Sequence, residues 1–361
     1  MNDVPAAQSV TAGRIPAAVL LAFAGEAFRA CGLPDADADI VAAMLVEADF
    51  TGADAHGMFR LPMYTRWLRQ GFVNPRPQLK LNRGGPATAV VDGDNGMGHL
   101  IMSFAADKAV EMARETGVAW VGARRSNHAG AAGVYAEIPL KHDMIGIYAA
   151  VSSANHMAPW GGAEPLMGTN PIAFAVPAGQ EAPVVLDIAT SISSFGYVRD
   201  YALQGKPLPV GWAIDRAGNP ITDAKRTTEG TLLPIGGYKG SGLSLIIGLL
   251  AGVLNSAAFG RDLREMGATT GGEVNTGQFV VALDVARFMA IDAFKAEVDR
   301  HARELTSSQR LPGFDEIRLP GAERRRRRQD RTTNGVALSD ALLKQLDELA
   351  ATVKIKPLRE R

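Results

Sequence analysis

The sequence predicts an α/β fold with a helical part at its N-terminal end. Short apolar runs of strand type alternate with amphipathic helical stretches between residues 88 and 151, the pattern of a sheet flanked by helices. Residues 15–70 instead carry apolar positions at helical spacing. At 361 residues the chain exceeds what one compact core usually holds, so two or three subdomains are expected.

The elements follow in order. Ala17-Val-Leu-Leu-Ala-Phe and Ile40-Val-Ala-Ala-Met-Leu-Val read as helices, with Asp35 and Asp37 as candidate N-caps of the second. A helix over residues 58–70 stops at Gly71. Asn74-Pro-Arg-Pro77 is a linker, because its prolines forbid continued helix. Thr88-Ala-Val-Val-Asp-Gly is a strand entering a turn. Residues 101–116 form an amphipathic helix ending at Gly117, and 118–123 a short buried strand. Residues 135–141 read as helical and 144–151 as another buried strand. Strands and loops fill 152–240, with a turn at Asp215-Arg-Ala-Gly-Asn-Pro220. Residues 243–255 are a strongly apolar helix, expected to be buried on most sides. A late strand at 279–284 and helices at 293–305 and 338–351 complete the chain.

Composition excludes several classes. Lys+Arg and Asp+Glu are both 38, so no global field draws the chain to nucleic acid or a membrane surface. The arginine run 324–328 is the one charge block, readable as a phosphate tract or as a solvated helical face. The single cysteine, Cys31, excludes an internal disulfide or thiolate metal cluster and reads as a buried, inert thiol. The six histidines show no metal-type spacing, so no metal is expected. Residues 1–14 lack the apolar core of a signal peptide, and the apolar run 243–254 is too short for a bilayer. A cytoplasmic protein without a membrane partner is expected.

The chemistry concentrates in a few stretches. Trp160-Gly-Gly-Ala-Glu-Pro-Leu-Met-Gly-Thr-Asn-Pro171 and the following Pro183-Val-Val-Leu-Asp-Ile-Ala-Thr-Ser191 mix small residues and turn formers with strand-type runs. Backbone of this kind can approach a ligand closely. Asp187 closes a strand, where a carboxylate can accept from ribose hydroxyls or loop N–H groups. Gly236-Gly-Tyr-Lys-Gly-Ser-Gly242 places Lys239 at a glycine-rich helix start, an anion site by charge and dipole. His56 and Arg60 stand four apart on the expected helix and share a face. A guanidinium there can hold a carboxylate, and the imidazole can serve the neighbouring oxygen; the alternative is an ordinary surface pair. His128 follows a strand and precedes Gly130 and Gly133, which suits a proton shuttle facing a cleft or a buried, backbone-satisfied histidine. No Walker loop is present. Gly96-Met-Gly98 comes nearest to a dinucleotide fingerprint, but Ile101 replaces its third glycine, so an ordinary Rossmann domain is disfavoured.

In order along the chain, Asp54-Ala-His-Gly, Asp92-Gly-Asp-Asn-Gly-Met-Gly98, Ser126-Asn-His-Ala-Gly130, Pro159-Trp-Gly-Gly162, Gly168-Thr-Asn-Pro171, Leu186-Asp-Ile-Ala-Thr-Ser191, Gly236-Gly-Tyr-Lys-Gly240 and Leu319-Pro-Gly-Ala-Glu323 resemble the malate/L-lactate dehydrogenase-like oxidoreductases. These do not use a Rossmann fold; ureidoglycolate, sulfolactate and 2,3-diketogulonate dehydrogenases and Δ1-piperideine-2-carboxylate reductases are among them. The resemblance implies a non-Rossmann α/β fold with a helical subdomain built from both chain ends. The parts expected are an N-terminal helical part over 1–77 and an α/β subdomain over 78–125 and 241–300. A cofactor-binding part over 126–240 and a C-terminal helical part over 301–361 follow. It implies NAD or NADP as cofactor, a small carboxylate substrate and a homodimer. Residue by residue, His56 and His128 match the active-site histidines, and Arg60 the substrate-carboxylate arginine. Ser152, Asp187, Ile188, Ala189, Lys239, Gly321, Ala322 and Glu323 match cofactor-contacting positions. Two departures stand out: Ala55 where the family usually has serine, and Gly248 where relatives often carry an acid. Both bear on substrate identity, and both leave open a catalytically silent nucleotide-binding protein.

Overall fold

A computed structural model describes residues 13–264 and 273–361, so most of the polar N-terminal segment lies outside the described residues. The chain forms two compact units, residues 1–70 with 324–361, and residues 71–323.

The first unit is helical. It holds α1 (Ala17–Ala30), α2 (Asp35–Phe50), α3 (Leu61–Arg69), α9 (Ala322–Asn334) from residue 324 on, and α10 (Asp340–Val353). The two-residue strands β1 (Arg14–Ile15) and β11 (Val336–Ala337) pair antiparallel and tie the two ends of the chain together. The helical spacing read from the sequence becomes one core, in which Leu20, Phe23, Phe28, Leu45, Leu61 and Leu346 are fully buried. Each such side chain contributes about 1.5–3 kcal/mol when removed from water. Pro34, not an aspartate, occupies the N-cap of α2; Asp35 and Asp37 stand in its first turn, where they complement the helix dipole.

The second unit is built on a seven-stranded mixed sheet of order β2-β3-β4-β10-β5-β6-β7. Its strands are β2 (Lys80–Arg83), β3 (Thr88–Asp92), β4 (Val118–Ser126), β5 (Met144–Ala150), β6 (Ile172–Val176), β7 (Val184–Ile188) and β10 (Thr276–Asp284). Only β3 and β4 pair in parallel; β10 lies antiparallel between β4 and β5. α4 (Gly98–Thr116) packs on β4 and β10 and ends at Gly117, whose φ of 84° is the left-handed cap that glycine favours. The expected helix at 135–141 divides into α5 (Gly133–Ala136) and a 3-10 turn at Pro139–His142, because Pro139 cannot donate within a continuous helix. α6 (Phe195–Gln204), β8 (Ala213–Asp215) and β9 (Gly230–Leu232) surround a smaller core of Met157, Met167, Val198, Leu208 and Trp212. α8 (Ile291–Thr306) follows the sheet.

The apolar helix differs most from expectation. α7 (Tyr238–Ile247) passes into a π-helical turn at Gly248–Gly252 and a 3-10 turn at Val253–Asn255. It is not buried on most sides: Leu243, Leu245, Ile246, Leu249, Val253 and Leu254 are all exposed on this unit. Tyr238–Asn255 is long and apolar enough for a membrane span by length and composition alone, and 44% of it is buried within the fold.

Candidate active site

Strand direction gathers most of the second unit's candidate residues. β4, β5 and β7 all end, and β6 begins, at the same end of the sheet, as the antiparallel registers of β10 and β6 require. His128 follows β4, Ser152 follows β5, Gly168-Thr-Asn-Pro171 leads into β6, and Asp187-Ile-Ala189 closes β7. Sheet ends of this kind, where loops leave neighbouring strands, are where α/β proteins bind ligands.

Each residue is fastened. Asn127 is buried and its amide nitrogen donates to Asn95 O at 3.1 Å, Asn95 Oδ1 at 3.0 Å and Gly96 O at 2.8 Å. Its carbonyl accepts from Gln278 Nε2 at 3.0 Å, and Gln278 Oε1 accepts from Ser126 Oγ at 2.8 Å. The residues flanking His128 are thereby tied to β10. Gly98 opens α4 against the same main chain: a Cβ there would stand 2.1 Å from Asn127 O and 2.7 Å from His128 O. The glycine pair at 96 and 98 therefore serves packing, not a phosphate turn. His128 Nδ1 accepts from the Gly130 N–H at 3.2 Å, which in the neutral ring puts the proton on Nε2.

Asn170, fully buried, accepts from the Ser152 N–H at 3.0 Å and donates to Ser244 O on α7 at 2.9 Å. A Cβ on Gly168 would lie 2.3 Å from Ser152 Cβ, so only glycine lets these loops close. Asp187 Oδ2 accepts from the Gly133 N–H at 2.8 Å. Thr190 O accepts from the Ile235 N–H at 2.9 Å, carrying the glycine-rich turn and exposed Lys239 to this edge. Gly236 and Gly237 take φ of 57° and 64°, a run of left-handed backbone open to glycine. Gly321 sits at φ 91° beside Val185, whose N–H donates to Pro320 O at 3.2 Å, so Gly321-Ala-Glu323 lines the outer edge of β7. Near the glycine turn, Pro159, Trp160, Met167, Tyr238, Leu245 and Phe259 line an apolar cavity of about 480 Å³.

His56 and Arg60 lie together in the first unit, but not on one helix. They end two one-turn 3-10 segments, Asp54–His56 and Met58–Arg60, joined at Gly57. Contact comes instead from Arg60 Nε donating to Ala55 O at 2.8 Å. The His56 Nδ1 atom is shielded from solvent. Burial, reinforced by the Arg60 charge, lowers its pKa to about 3, so this imidazole is neutral at physiological pH. The arginine run is only partly a solvated face: Arg327 Nη1 donates to Gly52 O at 3.4 Å and Arg328 pairs with Glu47. Cys31 is buried, and burial pushes its thiol up to about 11. Among the described residues no group of three or more His, Cys, Asp or Glu is placed to hold a metal ion.

A family model described as malate/L-lactate dehydrogenase matches residues 15–347. The chain belongs to that family. A malate dehydrogenase from Pyrococcus horikoshii is 35% identical over 353 residues, covering 96% of this chain and 97% of that protein. A Delta(1)-pyrroline-2-carboxylate/Delta(1)-piperideine-2-carboxylate reductase from Pseudomonas putida is 33% identical, covering 94% and 97%. The solved sulfolactate dehydrogenase from Methanocaldococcus jannaschii superposes with a TM-score of 0.88 at 33% identity, covering 96% of this chain and 99% of that one. As a malate/L-lactate dehydrogenase family member, the chain is a 2-hydroxy acid dehydrogenase/reductase that uses NAD or NADP. Within the family frame, Asn127, Asn170 and Gln278 were not singled out from sequence, and Gly98 was weighed only as part of a dinucleotide fingerprint. The two asparagines stood inside recognisable motifs; nothing in the sequence ties Gln278 to a histidine 150 residues earlier.

Proposed function

We propose that this enzyme moves hydride between NAD or NADP and the C2 carbon of a small 2-oxo/2-hydroxy acid of malate/lactate type, or of a cyclic 2-imino acid. The supporting observation is the convergence of His128, Ser152 and Asp187, each held by named hydrogen bonds, at one end of the sheet. The bound nicotinamide supplies or accepts the hydride. The chain's own residues bind, orient and move the proton. Arg60 offers a planar fork to the substrate carboxylate. His56, kept neutral, hydrogen-bonds the reacting oxygen or nitrogen. His128 transfers the proton through Nε2. Ser152, Asp187, Ile188, Ala189, Lys239, Gly321, Ala322 and Glu323 contact the cofactor. The fit rests on main chain free of Cβ atoms at Gly236 and Gly237 and on a cation at a helix start.

The same reading takes the protein as a cytoplasmic homodimer without nucleic-acid or membrane partners. The exposed apolar face of α7 supports a second copy, because a stripe of six large aliphatic side chains is unusual on a monomer's surface. The test follows NADH and NADPH absorbance separately with pyruvate, oxaloacetate, 3-sulfopyruvate and Δ1-piperideine-2-carboxylate, and ureidoglycolate in the oxidative direction. Turnover of one member supports the reading. Cofactor binding without oxidation across the panel supports a silent nucleotide binder instead. His128→Ala should keep cofactor affinity and lose turnover; equal activity removes His128 from proton transfer.

A further inference from the structure

We propose that Asp49 is a positioning residue for substrate binding: its buried carboxylate fixes the Gly57 turn that joins the His56 and Arg60 segments. This rests on the reading of Arg60 as the anchor of the substrate carboxylate.

Asp49 is the penultimate residue of α2 and only 2% exposed. Its Oδ2 accepts the Met58 N–H at 2.7 Å, and Met58 begins the segment that Arg60 ends. The carboxylate also fills the space over Gly57, where a Cβ would lie 2.0 Å from Oδ1 and 2.4 Å from Oδ2. The turn is thus packed from inside at Gly57 and held at Met58, the first residue of the Arg60 segment. Arg331 of α9 holds it from the other side. Its Nη1 donates to the Asp49 main-chain carbonyl and the Asp54 carboxylate, and its Nη2 to Asp54 Oδ2 at 3.1 Å. Asp54 opens the His56 segment. A stretch of seven residues is therefore fastened at Asp54 and Met58, and closed on itself by the Arg60 to Ala55 bond.

A buried carboxylate is a costly way to fill a core. An apolar side chain of similar size avoids the desolvation penalty. Burial pushes the Asp49 pKa well up, against the pull of the Met58 N–H and Arg331. What the carboxylate supplies, and an apolar group cannot, is an acceptor that fixes the main chain two residues before Arg60. A displaced guanidinium loses its two-point grip on a carboxylate.

The experiment measures steady-state kinetics of the whole protein with oxaloacetate, or whichever acid of the panel is turned over fastest. Cofactor Kd by NAD(P)H fluorescence and thermal melting accompany it. Asp49→Ala should raise KM for the acid at least tenfold and leave cofactor Kd within about twofold. Asp49→Asn, which keeps an oxygen for the Met58 N–H, should recover most of that loss. Added to Arg60→Ala, Asp49→Ala should change KM by less than about twofold, because both act through one guanidinium. Should Asp49→Ala not fold, Gly57→Ala pushes on the same carboxylate from the turn side. The new Cβ would meet the Asp49 carboxylate at 2.0 Å, so KM should rise here too. An unchanged KM in a folded Asp49→Ala or Gly57→Ala protein overturns the proposal, as does a full second tenfold on top of Arg60→Ala. If Arg60→Ala raises KM and Asp49→Ala does not, Asp49 alone is excluded. If Arg60→Ala leaves KM unchanged, the carboxylate reading falls and this proposal with it.

Discussion

Replacing Gly98 with alanine tests whether the start of α4 sets the position of His128. The new Cβ would stand 2.1 Å from the Asn127 carbonyl oxygen, and such contacts are not found below 3.0 Å. The helix and the Asn127–His128 main chain must part by about 0.9 Å, the difference of those two distances. Both obstacles are backbone, so no side-chain tip can swing aside. The carbonyl that must move is also the one Gln278 Nε2 holds at 3.0 Å. Overpacking of this kind costs about 1–3 kcal/mol, of which the better helix propensity of alanine returns at most about 1 kcal/mol. At about 2–4 °C per kcal/mol for a unit of this size, a net cost of about 2 kcal/mol lowers the melting temperature by roughly 4–8 °C. Misplacing a catalytic group by close to 1 Å costs on the order of 100-fold in rate, about 2.7 kcal/mol of barrier. Steady-state kinetics should therefore show kcat down by about 100-fold with cofactor Kd within threefold. A kcat within threefold of wild type, at an unchanged melting temperature, would refute the idea that α4 positions His128. An equal loss of kcat and cofactor affinity would point to general disruption of the sheet end.

Three further outcomes are expected. Gly248→Asp, which adds the acid that the family resemblance implies, should be poorly tolerated, because a Cβ there would lie 2.1 Å from the Phe259 ring; pairing it with Phe259→Ala should recover melting temperature, and a stable single variant would show that the ring gives way freely. His56 titrates near 3 when folded and near 6.5 when unfolded, so the unfolded chain takes up the proton first on acidification. Its contribution is complete above about pH 6.5 and lost as pH falls toward 3, with a slope approaching about 1.4 kcal/mol per pH unit; urea titrations of wild type and His56→Asn should diverge in that window, and parallel curves would place the proton uptake elsewhere. Finally, Ile246→Glu on the open face of α7 should convert a dimer to a monomer by sedimentation equilibrium, and an unchanged mass would exclude that face as the contact.

Local pattern carried much of the fold. The runs at 144–151 and 279–284 became β5 and β10 because apolar, β-branched stretches suit a strand buried on both faces. Sheet order was not legible, since nothing near residue 280 says that it will separate β4 from β5. Periodicity also misplaced His56 and Arg60 on one helix: spacing counts positions, whereas the Asp49 carboxylate over Gly57 decides where the main chain turns. The apolar helix was assigned to the interior by composition alone, which cannot tell a side facing the core from one facing another molecule. The motifs located the loops of the candidate site, but not the asparagines and glutamine that hold them, because those bonds span the whole second unit.

The central place of β10 bears on how the chain is made. β5 is complete at Ala150, but the strand that pairs with it, and with β4, does not begin until Thr276. At the usual pace of synthesis, ~5–20 residues per second, roughly 125 residues of delay leave the facing edges of β4 and β5 without their partner for on the order of 10 s. Two apolar strand edges waiting that long on the ribosome are templates for pairing with a neighbouring nascent chain. A shortage of holding chaperones should therefore lower the yield of this protein more than its finished stability would suggest.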